Sequence, residues 1–221
     1  MSRAAGRARP RRRLDLFDQA LRAHHGARHL VGVDEAGRGP LAGPVVVAAV
    51  VLKPDSGEGL RGVRDSKTLP AEKRESLFER IREASSWIAV AWATPGQIDR
   101  HNILRATLLS MKRAVERLPL PADEGVLVAV DGNFPIPGLA LPQYPLIKGD
   151  GYSLAIASAG IVAKVVRDRW MARLDRRYPG YGFVSHKGYS TAEHLAALGR
   201  LGPCPAHRRS FEPVSQAALP F

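Results

Sequence analysis

The sequence predicts an α/β domain built on a mixed sheet, and three observations carry that prediction. Short apolar stretches, several rich in valine, recur along the chain with strand length rather than helix length. Two of them come first in close succession, and the later ones alternate with helical patterns. With 221 residues, 45% of them hydrophobic, the chain can bury the core that such a sheet needs.

The elements follow in order. Leu14 to Ala23 has an apolar stripe at Leu14, Phe17 and Leu21, enough for a short amphipathic helix. Leu30 to Val33 reads as a strand ending at Asp34-Glu35, and Val45 to Leu52 as a second strand reached through a Gly/Pro connection. Pro54 to Gly62 reads as a loop. Pro70 opens a helix, where its missing N–H costs nothing, and Leu77, Phe78 and Ile81 give that helix its apolar face. Trp87 to Ala93 is a strand. Asn102 to Leu118 carries a helical stripe of Leu104, Leu108, Met111, Val115 and Leu118, stopped by Pro119 and Pro121. Val126 to Val130 is a strand ending at Asp131-Gly132-Asn133, and Tyr144 to Ile147 a short one ending near Asp150. A long helix from Tyr152 to about Arg177 and a last one from Thr191 to Leu201 complete the chain. The organisation is a basic tail with a short helix over 1–27, one domain over 28–215 and a tail over 216–221.

Composition narrows the function. Lys and Arg outnumber Asp and Glu by 33 to 21, a net charge of +12, which favours a polyanion such as nucleic acid. Six of those arginines (Arg3, Arg7, Arg9, Arg11, Arg12 and Arg13) precede the first acid, Asp15. That tail reads as a solvated arm, an electrostatic arm for nucleic acid or an Arg-rich targeting segment. The single cysteine, Cys204, rules out a disulfide framework and a cysteine-rich zinc site, and it fits the cytoplasm. No apolar run reaches the length of a membrane span.

The informative pattern is the position of the acids. Three apolar stretches end in carboxylates: Asp34-Glu35, Asp131 and, after a Lys-Gly step, Asp150. Strand ends in α/β sheets are where sites are built. Four converging carboxylates would repel one another and demand a cation. Hard oxygen ligands select Mg²⁺ or Mn²⁺ over zinc. Each acid also has a plainer reading. Asp131 lies in a strong turn sequence, Asp150 can cap a helix, and neighbouring strand residues such as Asp34 and Glu35 face opposite ways unless the chain bends. Gly37 and Gly39 permit such a bend. The glycines of GRGPLAG do not match a dinucleotide or Walker fingerprint, because a strand rather than a helix follows.

Eight segments, in order, resemble the successive motifs of bacterial ribonuclease HII: GVDEAGRGPLAGPVV, DSKTL, HNILRATLLSM, VDGN, IKGD, IVAKVVRDR, YPGYGFVSHKGYSTAEH and HRRSF. The resemblance covers roughly residues 28 to 214. It implies a ribonuclease-H-like fold: a mixed five-stranded sheet flanked by helices, with a helical C-terminal part. By that similarity Asp34, Glu35, Asp131 and Asp150 are the catalytic acids and hold two divalent ions, Mn²⁺ or Mg²⁺. Gly37, Arg38 and Gly39 match a motif that contacts the backbone at the RNA–DNA junction and senses the 2′-hydroxyl. Tyr189 matches a tyrosine that packs on the following deoxyribose. The implied substrates are RNA–DNA hybrids and DNA duplexes containing ribonucleotides, with products bearing 5′-phosphate and 3′-hydroxyl ends. The implied enzyme is a monomer, with a clamp or polymerase partner conceivable.

Lys67, Asn102, Lys148, Lys164 and Lys187 are candidate phosphate contacts. His186, His194 and His207 read as structural residues or as surface residues near the substrate. One departure stands out: Gly160 occupies a helical position where the family usually has serine, at about 1 kcal/mol in helix propensity. A non-catalytic nucleic-acid module would explain the charge but not the acids at strand ends. A type I or type III ribonuclease H and a nucleotide phosphotransferase are the remaining alternatives. They are disfavoured by different motifs, a short N-terminal extension and the missing Walker sequence respectively.

Overall fold

The computed structural model describes residues 13–63, 66, 69–121 and 124–217. Its centre is a five-stranded sheet in the order β3-β2-β1-β4-β5. The strands are β1 (His29–Ala36), β2 (Val45–Leu52), β3 (Ser85–Ala93), β4 (Val126–Asp131) and β5 (Gln143–Leu146). β2 pairs antiparallel with β1 and β3, whereas β4 pairs parallel with β1 and β5. The sheet is therefore mixed, as the element order predicts.

Helices cover both faces. On one face α4 (Ile103–Glu116) lays Met111, Ala114 and Val115 against Val31 and Val33 of β1 and Val128 and Val130 of β4. On the other, α5 (Leu154–Arg177) and α2 (Ala71–Ala84) bury Ala157, Ile161, Val165, Leu77 and Ile81 against Ala48 and Val50 of β2. α5 runs so close to β1 that a Cβ on Gly32 would fall inside the backbone of Ala155 and Ile156. This helix is buried on most sides of its first half, which explains why its sequence shows no single apolar stripe. α1 (Leu14–His24) packs on the start of α5 through Leu21 and Asp18, so the folded unit begins inside what the sequence reads as a tail.

Three short helices fall outside the sequence expectation: α3 (Pro95–His101), α6 (Phe183–His186) and α8 (Val214–Ala217). Between the last two lies α7 (Ala192–Leu201). α8 shows that the ordered chain continues past the expected last helix. β1 is also longer than expected. It stays paired with β2 through Ala36, so the two acids Asp34 and Glu35 belong to the strand. No described helix is long and apolar enough to cross a membrane.

Candidate active site

Parallel pairing builds the acid cluster. Val33 pairs with Val130, so the next residues, Asp34 and Asp131, lie side by side at the same strand ends. Asp131 in turn pairs with Leu146 of β5 and accepts the Gly149 N–H at 2.7 Å, which ties it to the 3₁₀ turn Gly149–Gly151. That turn carries Asp150. Burial, then repulsion from Glu35, Asp131 and Asp150, holds the Asp34 carboxyl well above the usual carboxylate range. All four sequence-predicted acids therefore share one electrostatic environment.

The expected bend between Asp34 and Glu35 comes later, at Gly37, whose φ is +95°. The two side chains leave opposite faces of the strand, Asp34 toward α5 and Glu35 toward the other side. The Glu35 charge still repels the Asp34 carboxylate, while the Glu35 backbone N–H donates to Asp34 Oδ1 at 2.6 Å. Gly160 of α5 faces Asp34, and a Cβ there would collide with its Oδ2. Gly160 thus makes the room that this carboxylate occupies.

Next to the acids, two loops meet. The segment Gly37 to Pro44 packs against the Lys187–Tyr189 turn, with Leu41 N–H donating to Gly188 O at 2.8 Å. A Cβ on Gly39 would stand 3.9 Å from the ring of the exposed Tyr189. Arg38 points outward and contacts Glu35 at 3.4 Å. Gly37, Arg38, Gly39 and Tyr189 are thus brought together, as the sequence suggests.

Two residues that sequence reasoning missed hold these loops. Arg167 of α5 and Arg208 are 1% and 0% exposed. Arg167 donates to the carbonyls of Pro44, Ala42 and Lys187 at 3.0, 3.2 and 3.0 Å. Arg208 donates to those of Gly37, Arg38 and Gly43 at 2.6, 2.7 and 2.9 Å. Burial, and then the neighbouring Arg167 charge, pull Arg208 down to about 9. In the sequence both lie in quoted motifs, IVAKVVRDR and HRRSF, but an arginine in sequence reads as a solvated charge.

Each of the three histidines makes hydrogen bonds within the fold. His207 Nδ1 lies 3.1 Å from Cys204 N and 3.3 Å from Cys204 O, and its Nε2 lies 3.1 Å from His194 Nε2. His194 carries its proton on Nδ1 and donates to Tyr189 O at 2.8 Å. The chain can close with both rings neutral. Burial favours that state, lowering His194 and taking His207 down to about 4. His186 donates through Nε2 to Tyr181 O and accepts Gly188 N–H, at 2.8 and 3.1 Å.

The remaining candidates are spread more widely. Asn102 caps α4 by accepting Arg105 N–H at 3.0 Å. Lys164 pairs with Asp168 at 2.7 Å, and Asp168 also meets Arg74. Lys148 and Lys187 adopt left-handed backbone in turns. Lys67 lies outside the described residues, as do all the tail arginines but Arg13, which pairs with Asp15 at 2.6 Å.

Comparison with known proteins decides the family. The family model described as Ribonuclease HII matches residues 31–214. The chain belongs to the ribonuclease HII family. A relative named Ribonuclease HII from Paracidovorax citrulli is 53% identical over 209 residues, covering 95% of this chain and 85% of that one. The solved ribonuclease H2 of Pyrococcus horikoshii matches with a TM-score of 0.72 and 27% identity, over 86% of this chain and 96% of that one. A structure of the PCNA:RNase HII complex from Archaeoglobus fulgidus matches with a TM-score of 0.68 and 27% identity, over 83% and 95%. The fold is ribonuclease-H-like, and this ribonuclease HII chain is an endoribonuclease of the ribonuclease H kind.

The acids also bear on a metal. Their donors are all carboxylate oxygens, and burial, then repulsion from the other three, raises Asp34. That chemistry fits a hard divalent cation. Among the described residues no three such side chains already form a metal cage.

Proposed function

We infer that this ribonuclease HII cuts the RNA strand of RNA–DNA hybrids and cuts on the 5′ side of ribonucleotides embedded in duplex DNA. The observation that carries the reading is the junction of two sites. Four carboxylates at parallel strand ends adjoin a glycine loop and an exposed tyrosine.

In this reading Asp34, Glu35, Asp131 and Asp150 hold two divalent ions, Mn²⁺ or Mg²⁺. When bound, such ions supply an activated water and charge stabilisation at the leaving 3′ oxygen. The protein's own groups do the rest. Gly149 N–H orients the Asp131 carboxylate. Backbone groups of Gly37, Arg38 and Gly39 read the 2′-hydroxyl, the group that separates RNA from DNA. Tyr189 packs on the next sugar, and the Arg38 side chain contacts phosphate. Products carry 5′-phosphate and 3′-hydroxyl ends. Lys67, Asn102 and Lys164 add substrate contacts at the edge, with Asn102 and Lys164 first serving the helix cap and the Asp168 pair. The setting is the cytoplasm, with removal of misincorporated ribonucleotides as the task. The Archaeoglobus complex supports a sliding clamp as a partner class.

The test is cleavage of a labelled DNA duplex holding one ribonucleotide, with Mg²⁺ or Mn²⁺, then with chelator. Metal-dependent cutting 5′ of the ribonucleotide, absent from all-DNA duplex and from Asp131→Asn, is the expected result. Cleavage of long hybrid alone would move the assignment to another ribonuclease H type. Binding without cutting under either metal would overturn the catalytic reading.

A further inference from the structure

Peptide planarity says more about the glycine loop than its glycines do. The peptides joining Gly37 to Arg38 and Arg38 to Gly39 are both trans. In a trans peptide the N–H points opposite to the C=O. The carbonyls of Gly37 and Arg38 are both drawn inward onto Arg208, at 2.6 and 2.7 Å. The N–H groups of Arg38 and Gly39 must then point outward, away from the buried guanidinium. Pro40 has no N–H to add, and Leu41 and Gly43 spend theirs inside, on Gly188 O and Ala206 O. The loop therefore presents two consecutive amide donors to the outside, on the segment that touches Tyr189.

We propose that Arg208 is a positioning residue that aims the Arg38 and Gly39 amides at the substrate's 2′-hydroxyl and its adjoining phosphate. Several features fit this role. Arg208 is fully buried, yet every one of its hydrogen bonds ends on a backbone carbonyl of this loop. A buried guanidinium is costly to desolvate, and its planar fork can hold two neighbouring carbonyls at once. Its positive charge also lies behind the amides, where it favours an anionic or electron-rich guest in front of them. Arg167 fixes the far side of the same loop to Lys187 O, so the aimed amides and Tyr189 keep one relative geometry.

This inference rests on the reading that the loop senses the 2′-hydroxyl, and the experiment separates the two. Affinities are measured in chelator, so that nothing is cut. The ligands are a duplex with one ribonucleotide and the matching all-DNA duplex. Wild type should prefer the first. Arg208→Lys keeps the charge but holds only one carbonyl, and Arg208→Met holds neither. In variants whose circular dichroism matches wild type, the ribonucleotide preference should fall by roughly tenfold or more, with affinity for all-DNA duplex little changed. With metal added, the loss should appear in KM and kcat together for the ribonucleotide duplex. A folded Arg208→Lys with undiminished preference would overturn the positioning role alone. A wild type without preference would overturn the loop reading, and this role with it. Should neither variant fold, ¹⁵N-labelled wild type decides. The Arg38 and Gly39 amide resonances should move more with the ribonucleotide duplex than with all-DNA duplex, and equal movement would overturn the proposal.

Discussion

Two neighbouring regions of this molecule solve opposite electrostatic problems. At the strand ends, Asp34, Glu35, Asp131 and Asp150 gather like charges, and burial, then that repulsion, pushes the Asp34 carboxyl upward. Behind the glycine loop, Arg167 and Arg208 are also buried like charges, but carbonyls of the fold already satisfy their donors. The basic layer is finished on folding. The acid end keeps its repulsion, which in the proposed reading a cation offsets. One region is preorganised and the other is poised, which suits a site that must grip a backbone before metal-assisted chemistry can act on it.

The largest expected effect breaks the acid side. Asp34→Asn should reduce cleavage by roughly a hundredfold to a thousandfold, while raising thermal stability in chelator by removing the repulsion. Adding Mg²⁺ or Mn²⁺ should stabilise wild type by about 2.7 kcal/mol at one hundred times Kd, or roughly 5–10 °C in melting temperature. The same ion should stabilise Asp34→Asn much less. Differential scanning calorimetry with and without chelator reads both quantities. A metal response equal in the two proteins would mean that the acids do not hold the ion.

The contrast also explains what the sequence could and could not reveal. Acids at the ends of apolar runs stand out, because an acid inside such a run is costly to bury. Hence Asp34, Glu35, Asp131 and Asp150 were visible before any fold was known. β1 was cut short for the same reason: the acids looked like its end, whereas they pair with Ala48 and Val47 inside the ladder. α3 had a usable signal in Thr94-Pro95-Gly96-Gln97, where Thr94 and Gln97 form a capping box around a proline at the first helical position. Its seven residues and its glycine hid it. α6 and α8 span four residues each, too few for a periodic pattern. Arg167 and Arg208 were invisible for a different reason. Their carbonyl partners, Lys187 apart, lie more than 120 residues away in sequence, and no local pattern encodes that burial.

A smaller effect sharpens the picture of the acid side. Gly160 is the floor beneath Asp34. Gly160→Ala gains helix propensity of about 1 kcal/mol but forces the Asp34 carboxyl to turn. The metal concentration for half-maximal cleavage should rise by roughly tenfold, with melting temperature almost unchanged because the two stability terms oppose. A metal titration of the rate measures this. An unchanged midpoint would show that Asp34 can serve equally well from a second rotamer.

The last effect, on stability alone, lies at a third buried charge, which belongs to neither region. Asp18 of α1 accepts the Ala155 N–H at 2.9 Å at the start of α5, and burial pushes its carboxyl up to about 6. The Ser153 side chain and the Arg22 charge favour its ionised form, but burial outweighs them. The sign follows from the raised value: protonated Asp18 favours the fold at pH below its unfolded value near 3.8, and that advantage is lost as pH rises through 6. Asp18→Asn keeps an oxygen for Ala155 and removes the charge. It should therefore stabilise the protein above pH 6, by at most about 3 kcal/mol, and the gain should vanish toward pH 4. His207 runs the other way. Its lowered value, about 4, makes its contribution present above its unfolded value near 6.5 and lost as pH falls toward 4. Urea midpoints of wild type and Asp18→Asn between pH 4 and 8 separate the two slopes. A gain from Asp18→Asn that is flat across that range would show that burial does not shift the Asp18 carboxyl, and that α1 docks on α5 with it ionised as in the unfolded chain.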